Sequence, residues 1–384
     1  MAVYFEQKNW ESFVYKRLNQ LIDQYKSASD VDTKDQAYVV FDFDNTSVIG
    51  DIEDNLMVYM MDNLMYRLSP KDFQEILISE NFDMDKIFDE NYPQATPWNL
   101  AKDIIRHYTA LVERYSVADL KQDRLLKDED YLAFRSKLRY YYLNVNGRFN
   151  RRPAEKWLTY WFQGYSAQEL QDLTVDMLNV MTKKQAEVIV YETPSGQVGE
   201  AGLVKSQFTS GLKAPSELLD LYAAFKAEGI IPYIVSASPI DVVAQAGQYF
   251  FQIDREFIRG MNYQFNSKAE IQSIMDPASP ITKKEGKTET ILSTIANLHG
   301  GRQPIALFGD SMGDYHMMTE LKEVTLNILF NCLNNDQTQE IKELAKQQYD
   351  YEKANYVIQG RDLNTLSLIP STHSINLNHS ELIY

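Results

Sequence analysis

The sequence has little cysteine, a shortage of basic residues and no long apolar run, and each shortage excludes a class of protein. Its 384 residues include one cysteine, Cys332, which excludes an internal disulfide and a thiolate metal cluster. Lys and Arg number 38 against 54 Asp and Glu, so the formal net charge is −16, which repels a phosphate backbone. No stretch offers the roughly 18 apolar residues of a membrane helix. We therefore expect neither nucleic acid nor a bilayer as a partner.

Length and composition describe a globular chain with more than one part. The hydrophobic fraction of 44% is sufficient for a large core, and 384 residues favour two domains, or one domain with a large insertion. Residues 1–10 show no apolar signal-peptide core, so a cytoplasmic protein is expected as the sequence stands. A signal segment removed before this start would instead place the protein outside the cytoplasm. Composition does not predict the oligomeric state.

Helix and strand patterns divide the chain into a core and an insert. A β-branched and aromatic run at residues 37–41 predicts a strand, and strands alternate with helices from about residue 203. Alternation of this kind indicates a parallel sheet with helices on both faces. The prediction is an α/β, Rossmann-like core of residues 1–50 and 203–384, with a mainly helical domain of residues 51–202 inserted in it.

Three further local patterns lead to expectations about the strands and the chain end. Residues 187–191 and 197–204 are expected to pair as a hairpin around a Pro-Ser-Gly turn, and residues 257–265 and 268–275 as a second hairpin. The last 24 residues, from Arg361, are expected to form a loosely packed tail.

Polar side chains follow the predicted strands at their carboxyl ends, where open α/β sheets bind ligands. Asp42 and Asp44 follow the first strand, Ser236 a later one, and Asp310 with Asp314 another. A spacing of two leaves Asp42 and Asp44 on one side of an extended segment, which suits one as nucleophile and the other as proton donor. Close carboxylates repel each other, and a hard divalent cation relieves that repulsion. Mg²⁺ is the usual cation where phosphate is also bound.

In order and spacing, these residues resemble the four motifs of the haloacid dehalogenase (HAD) superfamily phosphatases. The matching segments are Asp42-Phe43-Asp44-Asn45-Thr46, Ser236, a lysine, and Gly309-Asp310-Ser311-Met312-Gly313-Asp314. The resemblance covers roughly residues 36–50 and 203–330, and the long insert lies where this superfamily places its helical C1 cap. It implies that Asp42 attacks phosphorus to form an aspartyl-phosphate, while Asp44 protonates the leaving oxygen and later activates water.

The resemblance also implies a set of binding residues. Phosphate oxygens would be held by Thr46 and Ser236, and Mg²⁺ by Asp42, Asp310 and the backbone carbonyl of Asp44, with Asp314 orienting the water shell of the metal. For the motif lysine the candidates are Lys283, Lys284 and Lys287. We prefer Lys287, because it opens a helix after Gly286 and precedes Asp310 by a separation similar to that in phosphoserine phosphatases.

Two features bear on the substrate. The motif Asp-Phe-Asp-Asn-Thr, the Ser-Ala-Ser of residues 236–238 and the stretch 211–229 resemble the phosphorylcholine phosphatase branch more than phosphoserine phosphatase. Asp51 stands where phosphoserine phosphatases carry a glutamate that binds the substrate ammonium. Acidic residues at this place, with Glu53 and Asp54 next to it, are equally typical of a first helical turn.

The insert is rich in aromatic residues, which suit either its own core or a cage for a cation. They include Tyr140, Tyr141, Tyr142, Trp157, Tyr160 and Trp161. The expected function is Mg²⁺-dependent hydrolysis of a small phosphomonoester with a cationic head group, phosphocholine first and phosphoserine or phosphoethanolamine next. The alternatives are a phosphotransferase of the same superfamily and a non-catalytic binding module.

Overall fold

Strands and helices alternate along most of the chain. The computed structural model describes residues 2–28, 31–78, 83–115, 122–148, 161–333, 339–348 and 354–384. The strands are β1 (Tyr38–Phe41), β2 (Val188–Glu192), β3 (Lys205–Thr209), β4 (Ile231–Pro239), β5 (Ile258–Met261), β6 (Tyr263–Phe265), β7 (Ile271–Met275), β8 (Ala306–Gly309), β9 (Leu326–Phe330), β10 (Tyr356–Asp362), β11 (Ser367–Ile369), β12 (Ser374–Ile375) and β13 (Leu382–Ile383). The helices are α1 (Ser12–Tyr25), α2 (Ile52–Asp62), α3 (Pro70–Leu77), α4 (Pro97–Arg114), α5 (Gln122–Leu125), α6 (Glu129–Arg148), α7 (Ala167–Met181), α8 (Ser216–Ala227), α9 (Ile240–Phe251), α10 (Glu285–Thr290), α11 (Tyr315–Glu320) and α12 (Gln339–Gln348).

The main sheet has the strand order β13-β12-β10-β9-β8-β1-β4-β5, and β11 pairs with β10. From β10 to β5 every neighbouring pair is parallel, and β1 lies between β8 and β4. All four residues of β1 are buried, because alternate side chains enter separate cores on the two faces of the sheet. On one face, the ring of Phe41 stacks on those of Tyr222 and Phe308. The predicted α/β, Rossmann-like core is confirmed.

Helices α2 to α7 lie between β1 and β4 in the chain and pack around aromatic side chains. Side chains cap two of these helices, since Ser69 and Asp72 form a capping box at α3 and Thr96 caps α4 ahead of Pro97. Phe73 of α3 stacks on Tyr108 of α4 with ring centroids 4.5 Å apart. This arrangement is consistent with an inserted cap domain.

The first predicted hairpin forms, but its second strand lies later in the chain than expected. Val188 pairs with Thr209 and Glu192 with Lys205, so residues 197–204 belong to the connection. These residues do not need a strand partner, because side chains satisfy part of their backbone. The Asp103 carboxylate accepts the N–H groups of Glu200 at 3.1 Å and Ala201 at 3.0 Å.

The second predicted hairpin is partly wrong. Its first half divides in two: β5 joins the main sheet parallel to β4, and β6 with β7 forms the antiparallel pair. Gly260 permits the close approach to β4, since a Cβ there would lie 2.8 Å from the backbone oxygen of Ser238.

The expectation of a loose C-terminal tail is wrong. Arg361 lies within β10, its side chain is 2% exposed, and β11 to β13 extend the sheet beyond it. A Cβ at Gly360 would lie 1.9 Å from the backbone oxygen of His373, so the returning chain packs directly on β10. The C-terminal residues are therefore part of the core sheet. Strands of two and three residues leave too short a pattern to recognise in a sequence.

Candidate active site

Three buried carboxylates meet at the carboxyl ends of two adjacent strands. Asp42 follows β1, Asp310 follows β8, and Asp314 precedes α11. One side-chain oxygen from each lies within 4.8 Å of the other two. Because parallel strands end at one edge of the sheet, residues far apart in sequence meet there.

A single ammonium group joins two of these carboxylates. The Nζ atom of Lys287 lies 2.6 Å from Asp42 Oδ1 and 2.6 Å from Asp314 Oδ1, and the residue is 3% exposed. Lys283 is half-buried and Lys284 is exposed, so of the three candidate lysines the structure brings Lys287 into the cluster.

Asp314 also fixes the turn that carries Asp310. Its Oδ2 atom accepts the N–H groups of Asp310 at 3.0 Å and Ser311 at 3.3 Å. The preceding residue is Gly309, where a Cβ would lie 2.6 Å from the same oxygen. The glycine and the aspartate of this motif are therefore required together.

The carboxylate cluster carries more negative charge than Lys287 balances. Burial, and next the charge of Asp314, raise the pKa of Asp42 well above its usual value, and Lys287 opposes this effect. Burial and Asp314 also raise the pKa of Asp310 to about 6. Three carboxylates around one ammonium provide an all-oxygen donor set with charge to spare, which is what a hard divalent cation such as Mg²⁺ requires. The residues present thus fit the expected metal.

Asp44 follows Asp42 by two residues, but its side chain contacts Ile52 and Ser238. Its Oδ1 atom accepts the N–H of Ile52 at 2.6 Å, and its Oδ2 atom accepts the hydroxyl of Ser238 at 2.7 Å. Burial, and next the charge of Asp51, raise the pKa of Asp44 well above its usual value. A carboxyl with a raised pKa and a fixed position is suited to proton donation. Ser238 received no role from the sequence, although its spacing of two from Ser236 places both on one side of β4.

Two hydroxyl groups and one turn complete this edge of the sheet. The Thr46 hydroxyl lies 3.4 Å from Asp42 Oδ2. The side chain of Ser236 is buried, and its oxygen accepts the N–H of Ser238 at 3.1 Å. Between Asp44 and Thr46, Asn45 has a φ of +57°, in the left-handed region.

The three acidic residues at the start of α2, Asp51, Glu53 and Asp54, make different contacts. Asp51 caps α2 by accepting the N–H of Asp54 at 2.8 Å, and burial, then Asp54, raise its pKa to about 6. Asp54 pairs with Arg139. Glu53 accepts the hydroxyl of Tyr142 at 2.7 Å.

Glu53 also lines a cavity of apolar and aromatic residues, which we call the Glu53 cavity. Its other lining residues are Met57, Met60, Tyr66, Tyr142, Trp161 and Phe162. Burial, and next the charge of Asp51, raise the pKa of Glu53 to about 8. Trp157 and Tyr160 of the expected aromatic cage lie outside the described residues.

Replacing Glu53 by Gln should stabilise the protein in alkaline solution. The raised pKa means that the folded state holds a proton that the unfolded state has lost, from about pH 4.5 to about pH 8. The stability of the wild-type protein therefore falls as the pH rises through this window, and Gln removes that cost. Thermal unfolding at pH 5 and pH 9 tests this: the melting temperature of the variant relative to wild type should rise with pH. A constant difference would contradict the assigned burial of Glu53.

In the described part of the chain, no helix has both the length and the apolar character needed to cross a membrane.

Comparison with solved structures shows a likeness that extends over almost the whole chain. No protein-family model and no curated protein matches the sequence. A solved structure of a conserved, functionally unknown protein from Anaerococcus prevotii covers 99% of this chain and 100% of its own, with 26% identity and a TM-score of 0.89. A second match is a protein of unknown function from Bordetella pertussis, with 11% identity over 83% of this chain and 97% of that chain and a TM-score of 0.45. A third is a phosphoserine phosphohydrolase-like protein from Francisella tularensis, with 13% identity over 77% of this chain and 88% of that chain and a TM-score of 0.37. The chain therefore shares its complete fold, insert and C-terminal strands included, with the Anaerococcus protein.

Proposed function

We propose that this protein is a Mg²⁺-dependent phosphomonoester hydrolase of the HAD superfamily. The observation that carries the proposal is the convergence of Asp42, Lys287, Asp310 and Asp314 at one sheet edge, with Asp44 held beside them. These are the motif residues of that superfamily, and they come together although up to 272 positions separate them. A solvated turn or an ordinary helix cap would not bury three carboxylates around one ammonium.

The side chains present support a two-step displacement. A carboxylate oxygen of Asp42 attacks phosphorus, the bond between phosphorus and the ester oxygen breaks, and Asp44 gives its proton to the departing alcohol. Asp44 then takes a proton from water, the water oxygen attacks the aspartyl-phosphate, and phosphate leaves with Asp42 regenerated. Lys287 favours the ionised, nucleophilic form of Asp42 before the first step, and Thr46 and Ser236 hold phosphate oxygens.

The metal would be held by Asp42 and Asp310, with the backbone carbonyl of Asp44, and Asp314 would orient its water molecules. When bound, Mg²⁺ neutralises the approaching phosphate and the carboxylates around it. Among the described residues, Asp42 would be the nucleophile, Asp44 the proton donor, and Lys287 a compensating ammonium group.

Phosphate transfer to another alcohol uses the same covalent intermediate and is the second candidate, since none of the described side chains around Asp42 and Asp44 distinguishes an alcohol from water. Incubating the enzyme with a phosphomonoester, with and without an added alcohol, and measuring both free phosphate and the new ester separates the two reactions. Hydrolysis predicts stoichiometric free phosphate in both cases.

A third possibility, a binding module, is disfavoured because nucleophile, proton donor, lysine and metal ligands are all in place.

We further propose that the substrate has a cationic head group, phosphocholine above phosphoserine or phosphoethanolamine, and that Glu53 contacts this group. The Glu53 cavity has a volume of about 10 Å³, room for about one water molecule, so its lining side chains must move to admit the head group. Aromatic side chains attract a cation by the negative faces of their rings, and a bound cation favours the ionised form of Glu53 and so lowers its raised pKa. The aromatic faces favour a trimethylammonium group, which needs no hydrogen bond, over a primary ammonium. Resemblance assigned this contact to Asp51, but Asp51 caps α2, so Glu53 is the better candidate.

Replacing Glu53 by Gln should raise KM for phosphocholine at least tenfold and leave kcat within about twofold. Glu53 would touch the head group equally in ground state and transition state, so its loss weakens binding alone. Glycerol phosphate, a neutral ester, serves as the control, and its KM should not change. The competing variant is Asp51→Asn, which keeps a good helix cap. If Asp51→Asn rather than Glu53→Gln raises KM for phosphocholine, Asp51 is the head-group contact.

A further inference from the structure

We propose that Arg361 is a positioning residue of this active site, which holds the general acid Asp44 in place by fixing the turn at Asn45. The inference rests on the proposed function. Arg361 lies in β10, outside every motif that pointed to the site, and within the segment expected to be a loose tail. It does not touch the reacting atoms. Its charge lowers the pKa of Asp310 against the larger effect of burial. Its hydrogen bond to the neighbouring turn is the contact through which it positions Asp44.

The contact joins opposite ends of the chain. An amino group of Arg361 (Nη1) donates a hydrogen bond to the backbone carbonyl of Asn45 at 2.8 Å, and the other (Nη2) contacts the sulfur of Cys332. In the sheet, β8 and β9 separate β10 from β1, so the side chain reaches across the ends of both strands. A charged group that is 2% exposed carries a large desolvation cost, which such contacts offset.

The carbonyl that Arg361 binds belongs to a turn with a demanding conformation. Asn45 has a φ of +57°, in the left-handed region that most L-residues avoid and that Asn adopts as a single residue. Its N–H donates to the carbonyl of Gly50 at 3.0 Å, so both sides of this residue are fixed. Relaxation of Asn45 would rotate the adjoining peptide and withdraw Asp44 from Ser238 and Ile52.

Arg361 is itself held by the C-terminal strands. Its N–H donates to the hydroxyl oxygen of Ser374 at 3.0 Å, and that hydroxyl donates to the carbonyl of Asn331 at 2.6 Å. Ser374 begins β12, whose next residue, Ile375, pairs with Asp362. The C-terminal segment therefore seats the arginine that holds the turn.

The test compares two esters that need a general acid to different degrees. An alkyl phosphate such as phosphocholine has a poor leaving group that Asp44 must protonate, whereas p-nitrophenolate leaves without a proton. For Arg361→Gln, kcat/KM for phosphocholine should fall at least tenfold more than kcat/KM for p-nitrophenyl phosphate, since this constant reports the first phosphoryl transfer. General acid catalysis contributes about 10²–10⁴-fold, so the difference is measurable.

Arg17→Gln is the matched control, because Arg17 is also buried and also binds a backbone carbonyl, that of Ala354, near the opposite end of β10. The Arg17→Gln substitution should lower the melting temperature. The ratio of kcat/KM for phosphocholine to kcat/KM for p-nitrophenyl phosphate should stay within twofold of the wild-type ratio. If Arg361→Gln does not fold, Arg361→Lys provides the same comparison, since lysine keeps the charge but cannot contact both Asn45 and Cys332 as the two guanidinium nitrogens do. A wild-type ratio in the folded Arg361 variant overturns the inference. A wild-type enzyme that hydrolyses neither ester refutes the proposed function instead.

Discussion

An Asp42→Asn variant is expected to fold normally and to lose nearly all turnover, to below about 10⁻³ of the wild-type rate. The amide has the size of the carboxylate but no nucleophilic oxygen, so the aspartyl-phosphate cannot form. The substitution removes one of three crowded charges, and the pKa of Asp42 is raised well above its usual value in the folded state. Ionised Asp42 therefore costs stability at neutral pH, and the melting temperature of the variant should equal or exceed that of wild type.

Two comparisons separate this effect from general damage. Asp44→Asn should lose about 10²–10⁴-fold in activity, since it removes the proton donor but leaves the nucleophile. Asp35→Asn, at an exposed position ahead of β1, should change nothing. Phosphate release measured for the three variants alongside their thermal unfolding decides the matter. Full activity of Asp42→Asn would refute the phosphatase proposal as a whole.

Removal of the divalent cation should abolish activity, and Mg²⁺ should restore it. Without the ion, Asp42, Asp310 and Asp314 face one another with Lys287 as the neighbouring ammonium, and the site repels a phosphate dianion. Ca²⁺ should restore little activity, because its larger and looser ligand shell misplaces the nucleophile.

The same experiment has a readout that does not depend on turnover. Mg²⁺ binds the folded state, so it should raise the melting temperature of the wild-type protein after chelation. Asp310→Asn should melt at a higher temperature than wild type in the chelator, because one repelling charge is gone, and should respond less to Mg²⁺. Undiminished turnover after exhaustive chelation, or an equal Mg²⁺ response in Asp310→Asn, would refute the role of Asp310.

Residues that a motif marks at a predicted strand end or helix start were predictable from the sequence, whereas residues outside the motifs that distant strands bring to the site were not. Asp42 and Asp44 occupy a strand end that their own neighbours specify, and Lys287 could be preferred from its helix start. Arg361 is different, because its importance depends on β10 lying three strands from β1 and on a short strand that returns after it.

Glu53 illustrates a second limit. The sequence shows three acidic residues at the start of α2, and helical periodicity gives no reason to choose among them. Only the packing of α6 against this helix pairs Asp54 with Arg139 and leaves Glu53 facing Tyr142 and the cavity. The second strand of the first hairpin was misplaced for a related reason, since Asp103, far away in the chain, accepts the backbone N–H groups of Glu200 and Ala201 that a strand partner would otherwise bind.

The central place of β1 also affects how the protein folds during synthesis. β1 leaves the ribosome early, but its two neighbours, β4 and β8, begin at residues 231 and 306. Parallel pairing over such separations carries a large loop-closure cost and is slow, whereas helices α2 to α7 form mostly local contacts. The insert is therefore the part of a nascent chain that can gain structure first. Both edges of β1 stay unpaired until β4 and β8 have been synthesised. The contact between Asn45 and Arg361 spans 316 positions, so the catalytic turn is among the last features to form.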